Sequence, residues 1–219
     1  MATVLITGGN RGIGLELARQ LSARGDQVWV SCRRSSPELD ALPVEVMADV
    51  DVSSEAGLAR LQAGLADQSL DCLINNAGIL TNENLVDLNL ERMRRQFEVN
   101  ALGPLRVTLA LLDKLHPGSK VAIVTSRVGS IADNSSGGMY GYRMSKAAVN
   151  MAGANLAIDL REKGIPVALL HPGMVATEMT GNRGVSTSHA AAGLIQRIDA
   201  LNLETSGHFW HAEGEILPW

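Results

Sequence analysis

The chain has 219 residues, enough for one domain with a sizeable core and short for two. Its formal net charge is −4 and its 19 Lys and Arg residues form no run, which excludes a nucleic-acid interface built on a basic patch. Apolar residues make up 46% and aromatics only 3%, so the core has to be built from Leu, Val, Ile, Ala and Met, a composition suited to parallel sheets covered by helices.

Short apolar runs rich in β-branched residues alternate with longer amphipathic segments. In chain order the pattern predicts a strand over Thr3 to Ile6, a helix over Arg11 to Arg24, and strands over Gln27 to Ser31 and Val44 to Met47. A helix over Ser53 to Ala66, a strand over Cys72 to Ile74 and a long helix over Leu90 to Leu115 follow. The remainder reads as strand Val121 to Thr125, helix Tyr142 to Lys163, strand Val167 to Leu170, helix Ser188 to Leu201 and strand Gly207 to His211. Gly25 and Gly164 stand where left-handed C-caps would end two helices. Repeated strand-helix-strand units with right-handed crossovers imply an α/β fold, a doubly wound parallel sheet of seven strands flanked by helices, in a single domain over 1–219. Cys32 and Cys72 fall in strand-like runs without partners at metal-ligand spacing, so buried thiols in a reducing cytosol and no metal are expected. Met1-Ala2-Thr3 leads directly into apolar residues and no apolar run reaches about 18 residues, which predicts a soluble cytoplasmic protein without membrane contact.

The first strand runs into Thr7-Gly8-Gly9-Asn10-Arg11-Gly12-Ile13-Gly14 and then a helix. A turn without side chains lets backbone N–H groups approach a pyrophosphate, and the helix N-terminus adds donors and a favourable dipole. The spacing Gly-x-x-x-Gly-x-Gly differs from the Gly-x-Gly-x-x-Gly of many dinucleotide enzymes, and no Gly-Lys-Ser/Thr indicates a P-loop. A dinucleotide site usually offers an acid to the adenosine ribose about 20 residues further on. Here the second strand ends Ser31-Cys32-Arg33-Arg34, and Arg33 together with Arg11 suits a 2′-phosphate, pointing to NADP(H) over NAD(H); both arginines also suit a plain solvated surface.

Tyr142 and Lys146 are four apart in a predicted helix, one turn apart on one face. An ammonium about 4 Å from a phenol interacts by roughly 4 kcal/mol at an effective dielectric near 20, enough to draw a phenol pKa of about 10 toward neutrality. Such a tyrosine exchanges protons at physiological pH, although the same spacing also fits a solvated surface pair.

Taken in order, Thr7 to Gly14, Asp49-Val50, Asn75-Asn76-Ala77-Gly78, Asn100, Ser126, Tyr142-x-x-x-Lys146 and Pro172-Gly173-x-Val175-x-Thr177 cover nearly the whole chain. In this set the chain resembles the short-chain dehydrogenase/reductase family, and the surroundings of Tyr142 with the terminal Leu217-Pro218-Trp219 are most similar to its C-factor/sniffer-type carbonyl reductases. The resemblance implies a Rossmann-fold domain in which Gly8, Asn10, Arg11, Gly12, Ile13 and Gly14 hold the phosphates, Asp49 and Val50 the adenine, and Asn76, Ala77 and Gly78 pass close to the adenosine ribose. Read alone, Asp49 equally suits a capping loop and the Asn76 segment a tight turn. Pro172, Gly173, Val175 and Thr177 are implied to meet the nicotinamide carboxamide; His171 before them is expected to be structural.

The implied chemistry is reversible hydride transfer between NADPH and a carbonyl or alcohol substrate. Tyr142 is the acid/base, Ser126 polarises the carbonyl, Lys146 binds the nicotinamide ribose and lowers the phenol pKa, and Asn100 completes a water-borne proton relay. Pro104 inside the helix over Leu90 to Leu115 predicts a kink beside Asn100, although a buried, satisfied Asn is as good a reading of the residue by itself. Arg127 is expected to tune substrate preference or pair with a surface acid. A lid over 178–188 with Gly181, Asn182, Arg183 and Gly184 is expected over the substrate pocket, short enough to leave it open to aldehydes, ketones or quinones. The alternative is a dinucleotide-binding signalling or regulatory protein of C-factor type with little turnover. Ala147, Met151, Ala154 and Ile158 form an apolar stripe that predicts a homodimer or homotetramer, and Ile216 to Trp219 offers a second docking surface for a neighbour.

Overall fold

The computed structural model describes residues 1–219 and contains one seven-stranded sheet. Its strands are β1 (Thr3–Thr7), β2 (Gln27–Ser31), β3 (Glu45–Met47), β4 (Leu70–Asn75), β5 (Leu115–Val124), β6 (Val167–His171) and β7 (Phe209–His211). All pair in parallel in the order β3-β2-β1-β4-β5-β6-β7. The helices are α1 (Gly12–Ala23), the single turn α2 (Pro37–Asp40), α3 (Glu55–Leu65), α4 (Leu90–Phe97), α5 (Gly103–Ala110), α6 (Tyr140–Asp159) and α7 (Thr187–Ala200).

Strand periodicity explains the layers. Val4 and Ile6 face α1 and α7, packing with Leu17, Leu21, Ala191 and Leu194, whereas Leu5 between them faces the cluster of Leu61, Val107, Val149 and Leu156 from α3, α5 and α6. Both faces are covered, so the strands read as apolar runs rather than as alternation. The chain runs outward from β1 through β2 to β3 and then crosses back to β4 on the other side of β1, so the direction of winding reverses between β1 and β4 and opens a crevice at the C-terminal ends of the strands.

Two expectations are corrected. The helix expected over Leu90 to Leu115 is two α-helices joined by a π-helical segment, Glu98–Leu102, in which Gly103 N–H donates to Glu98 O. Pro104 supplies no N–H to the turn before it, and the widened turn accommodates the loss. β5 begins at Leu115 rather than Val121, because Leu115 pairs with Leu70 before a register shift and the polar stretch at its start masks the strand in sequence. The Ile216 to Trp219 segment folds back on its own chain: Ile216 bridges Trp210 antiparallel, Leu217 is 2% exposed, and Trp219 stacks on Phe209 at 5.6 Å, while Ile216 and Trp219 themselves stay exposed. No helix is long and apolar enough to cross a membrane.

Candidate active site

A cleft of about 1600 Å³ lies along the C-terminal ends of the strands. At its floor the turn after β1 brings Gly8, Asn10, Arg11, Gly12, Ile13 and Gly14 into the wall. The glycine at 14 answers to close approach: a Cβ there would stand 2.4 Å from Asn76 Nδ2 and 2.5 Å from Gly8 O. Asn76 Nδ2 donates to the Thr7 and Gly8 carbonyls, and the Thr7 hydroxyl accepts from the N–H groups of Asn76 and Ala77. The ends of β1 and β4 are thus locked together. No side chain caps the N-terminus of α1 and no acid lies in its first turn, so the helix end presents its donors and dipole to the cleft. A dinucleotide pyrophosphate fits this cradle.

Beside the end of β2, Arg33 and Arg34 are exposed and line the cleft, with no carboxylate between them. Arg11 also lines it but is ion-paired with Glu178 from the opposite wall. Val50 lines the cleft and donates its N–H to Cys32 O, whereas Asp49 stands outside the lining, exposed at φ 59° and 3.7 Å from Arg60. Of these two neighbouring aspartates, Asp51 is the one that lines the wall. Desolvation opposes its charge, yet hydrogen bonds from the Ser53 hydroxyl and N–H and from Arg95 prevail and hold its pKa at about 2. Sequence reasoning passed over Asp51, Arg34 and the bracing Thr7; two acids one residue apart, Asp49 and Asp51, were the available signal for the first.

Ser126, at the end of β5, and Tyr142 and Lys146, on successive turns of α6, meet in the same cleft. The ammonium stands 5.6 Å from the Tyr142 ring centroid and donates to Val124 O at 3.0 Å. Burial pushes the Tyr142 phenol up to about 12, with its hydrogen bond to Ser126 acting in the opposite direction, while burial lowers the Lys146 ammonium to about 8. Burial is the largest cause of both shifts, and Lys146 is not among the causes acting on the phenol in the protein alone. Gly78 and Ala77 lie beside the pair in the lining.

Asn100 is not in the cleft wall. Its side chain is 1% exposed and clasps Ile79, accepting from Ile79 N–H at 2.8 Å and donating to Ile79 O at 2.8 Å and to Ser145 Oγ at 3.0 Å. It thereby ties the loop after β4 to α6, immediately next to Lys146. On the far side Pro172, Gly173, Val175 and Thr177 follow β6 into the lining. Thr180 Oγ1 donates to Val175 O, and the bonds Ala176 N–H to Val185 O and Val185 N–H to Met174 O, both 2.8 Å, pin the expected lid as one short 3₁₀ turn and an exposed loop. His171 lines the cleft too; burial and the nearby charges of His211, Arg127 and Lys146 lower its pKa to about 3, so it stays neutral and its Nδ1 has no partner.

The short chain dehydrogenase family model matches residues 2–187. A 1-hydroxy-2-glutathionyl-2-methyl-3-butene dehydrogenase of Rhodococcus sp. (strain AD45) is 45% identical over the whole of both chains. The C-signal protein of Myxococcus xanthus is 47% identical over 154 residues, 68% of this chain and 93% of that one. A carbonyl reductase of Pseudomonas aeruginosa PAO1, solved in complex with NADP, superposes on all of both chains with a TM-score of 0.88 at 32% identity.

Proposed function

The chain belongs to the short chain dehydrogenase family and is an oxidoreductase of nicotinamide-dinucleotide type; from that premise we propose that it is an NADP(H)-dependent enzyme that interconverts a carbonyl and an alcohol, with Tyr142 as the proton donor and acceptor. The observation that carries this reading is the convergence of Ser126, Tyr142 and Lys146 on the cleft that the glycine turn opens into. Bound there, the nicotinamide ring would supply or accept the hydride.

The chain's own residues do the rest. Ser126 offers an uncharged hydroxyl to the substrate oxygen and, through its hydrogen bond with Tyr142, orients the phenol. Tyr142 gives its proton to the oxygen as it becomes an alkoxide and recovers it in the reverse direction. Lys146 is anchored on Val124 O beside the ring, where a buried ammonium can hold the nicotinamide ribose and compensate the phenolate that remains. Asn100, by clasping Ile79 and Ser145, holds the surrounding backbone rather than touching the reacting atoms; a water-borne relay through its main chain is part of the proposal. Arg33, with Arg34 and Arg11 nearby, gives the adenosine end a positive field suited to a 2′-phosphate. The whole chain acts as one cofactor-binding domain, with the loop over 178–188 as lid.

The width of the cleft and the glutathione-conjugate substrate in the name of the Rhodococcus relative favour alcohols and carbonyls carrying a bulky substituent. The likeness to C-signal keeps a signalling role as a second reading. One experiment separates them: NADPH and NADH titrations combined with turnover on a panel of carbonyls, in wild type and Tyr142→Phe. We expect tighter NADPH than NADH binding in both forms and turnover in wild type alone, at least about a thousandfold above the variant, the scale of a lost general acid. Turnover retained by the variant sinks the acid/base assignment, and tight NADPH binding with no turnover across the panel favours the signalling role.

A further inference from the structure

Arg127 directly follows Ser126, and its guanidinium donates to Glu215 at 3.1 Å, while Asp133 lies 2.8 Å from Nε as an ion-pair contact without hydrogen-bond geometry. Glu215 opens the segment that folds back over β7. That segment grips the same loop at two more points: Trp219 O accepts from Ser130 Oγ at 3.0 Å and from Ala132 N–H at 2.9 Å. It is itself anchored, since His211 N–H donates to Glu215 O, Leu217 N–H donates to Phe209 O, and Trp219 stacks on Phe209.

The loop gripped in this way connects Ser126 to Tyr142, and residues 131–137 of it are exposed throughout. Its serine end also presses on α6, where a Cβ on Gly129 would stand 2.7 Å from the Lys146 carbonyl carbon. Its tyrosine end is tied by Arg143, which donates to Ser136 Oγ at 2.8 Å and Gly137 O at 3.1 Å. Ser126 Oγ itself accepts only a long 3.4 Å bond from Val128 N–H within this turn, so the backbone path sets where the hydroxyl points. Half-exposed ion pairs contribute little to global stability. Two acids converging on one guanidinium nevertheless restrict its geometry, and while Asp133 belongs to the loop itself, Glu215 restrains it from outside.

We propose that Arg127 is a positioning residue for Ser126, pinning the serine end of this loop to the Glu215–Trp219 segment and so tying the edge of the sheet at β7 to the reaction centre. The proposal rests on the reading of Ser126 and Tyr142 as catalytic. In the full chain, Arg127→Gln and Glu215→Gln should each lower kcat about tenfold, equivalent to roughly 1.4 kcal/mol of barrier, while the NADPH dissociation constant and the unfolding midpoint stay near wild type. Arg127→Lys, which keeps the charge, should recover most of the rate. Because the Ser126 hydrogen bond works to lower the phenol pKa, displacement of the serine should also move the pH profile of alcohol oxidation upward in Arg127→Gln. An unchanged kcat or an unshifted profile in both Gln variants overturns the proposal, as does a lost midpoint with full activity per folded molecule; Glu215→Gln serves if Arg127→Gln does not fold. If Tyr142→Phe is inactive and the Gln variants are not impaired, the positioning role alone fails. If Tyr142→Phe remains active, the underlying mechanism fails.

Discussion

Lys146 is 4% exposed, and burial alone brings its ammonium pKa from 10.5 to about 8. Between those two values the folded chain holds fewer protons than the unfolded one, so stability rises with pH through that window and the cost of charging the buried amine is fully present below pH 8. The difference corresponds to roughly 3 kcal/mol. Lys146→Met should therefore be more stable than wild type at pH 7, and that advantage should vanish by about pH 10.5; urea unfolding of the two proteins across this range checks it. His171 behaves alike at lower pH: its folded pKa of about 3 lies below the ordinary 6.5, so stability is lost as pH falls through 6.5. Tyr142 has the opposite sign, its pKa raised from 10 to about 12, and costs stability as pH climbs through that interval.

At the scale of elements, the break between α4 and α5 matters most. Pro104 signals an interruption in the sequence, but not its form; the π-helical turn Glu98–Leu102 is where buried Asn100 sits, and its side chain bonds Ile79 and Ser145. Asn100→Ala would remove the bonds to the partly buried Ile79 backbone groups and one partner of the buried Ser145 hydroxyl, at a cost of about 1–3 kcal/mol. It should also loosen the loop after β4 and weaken NADPH binding. Thermal unfolding and a fluorescence titration of the same variant test both effects, and a normal unfolding midpoint would argue that the bonds are dispensable.

At the scale of the whole molecule, α6 divides its surface. Val149, Leu156 and Ala157 enter the core with Gly153, while Met151 is 64% and Ile158 71% exposed, along with Leu109 at 58% on α5. Unpaired apolar side chains on neighbouring helices favour a second copy of the chain as their cover. Light scattering should find a dimer or tetramer, and Ile158→Glu should shift it toward monomer without unfolding it; a monomeric wild type would overturn the expectation.

The order of strands and helices and the glycine turn were legible from sequence, because each depends on local periodicity or on residue spacing within one element, whereas Ser126 was singled out beside Tyr142 and Lys146 only through the family resemblance. Which of Asp49 and Asp51 lines the cleft was not, since it turns on a positive φ at Asp49 and on Arg95, a residue far away in the chain. Likewise the pKa order of Tyr142 and Lys146 depends on burial supplied by the assembled sheet and helices, which spacing along the chain does not show. The hold of Glu215 to Trp219 on the loop after Ser126 joins residues almost ninety positions apart. The sequence by itself determined the fold class and the chemical inventory of the site. Only the tertiary structure decided the electrostatics and the supports of that site, because desolvation and long-range contacts exist only once the layers have packed.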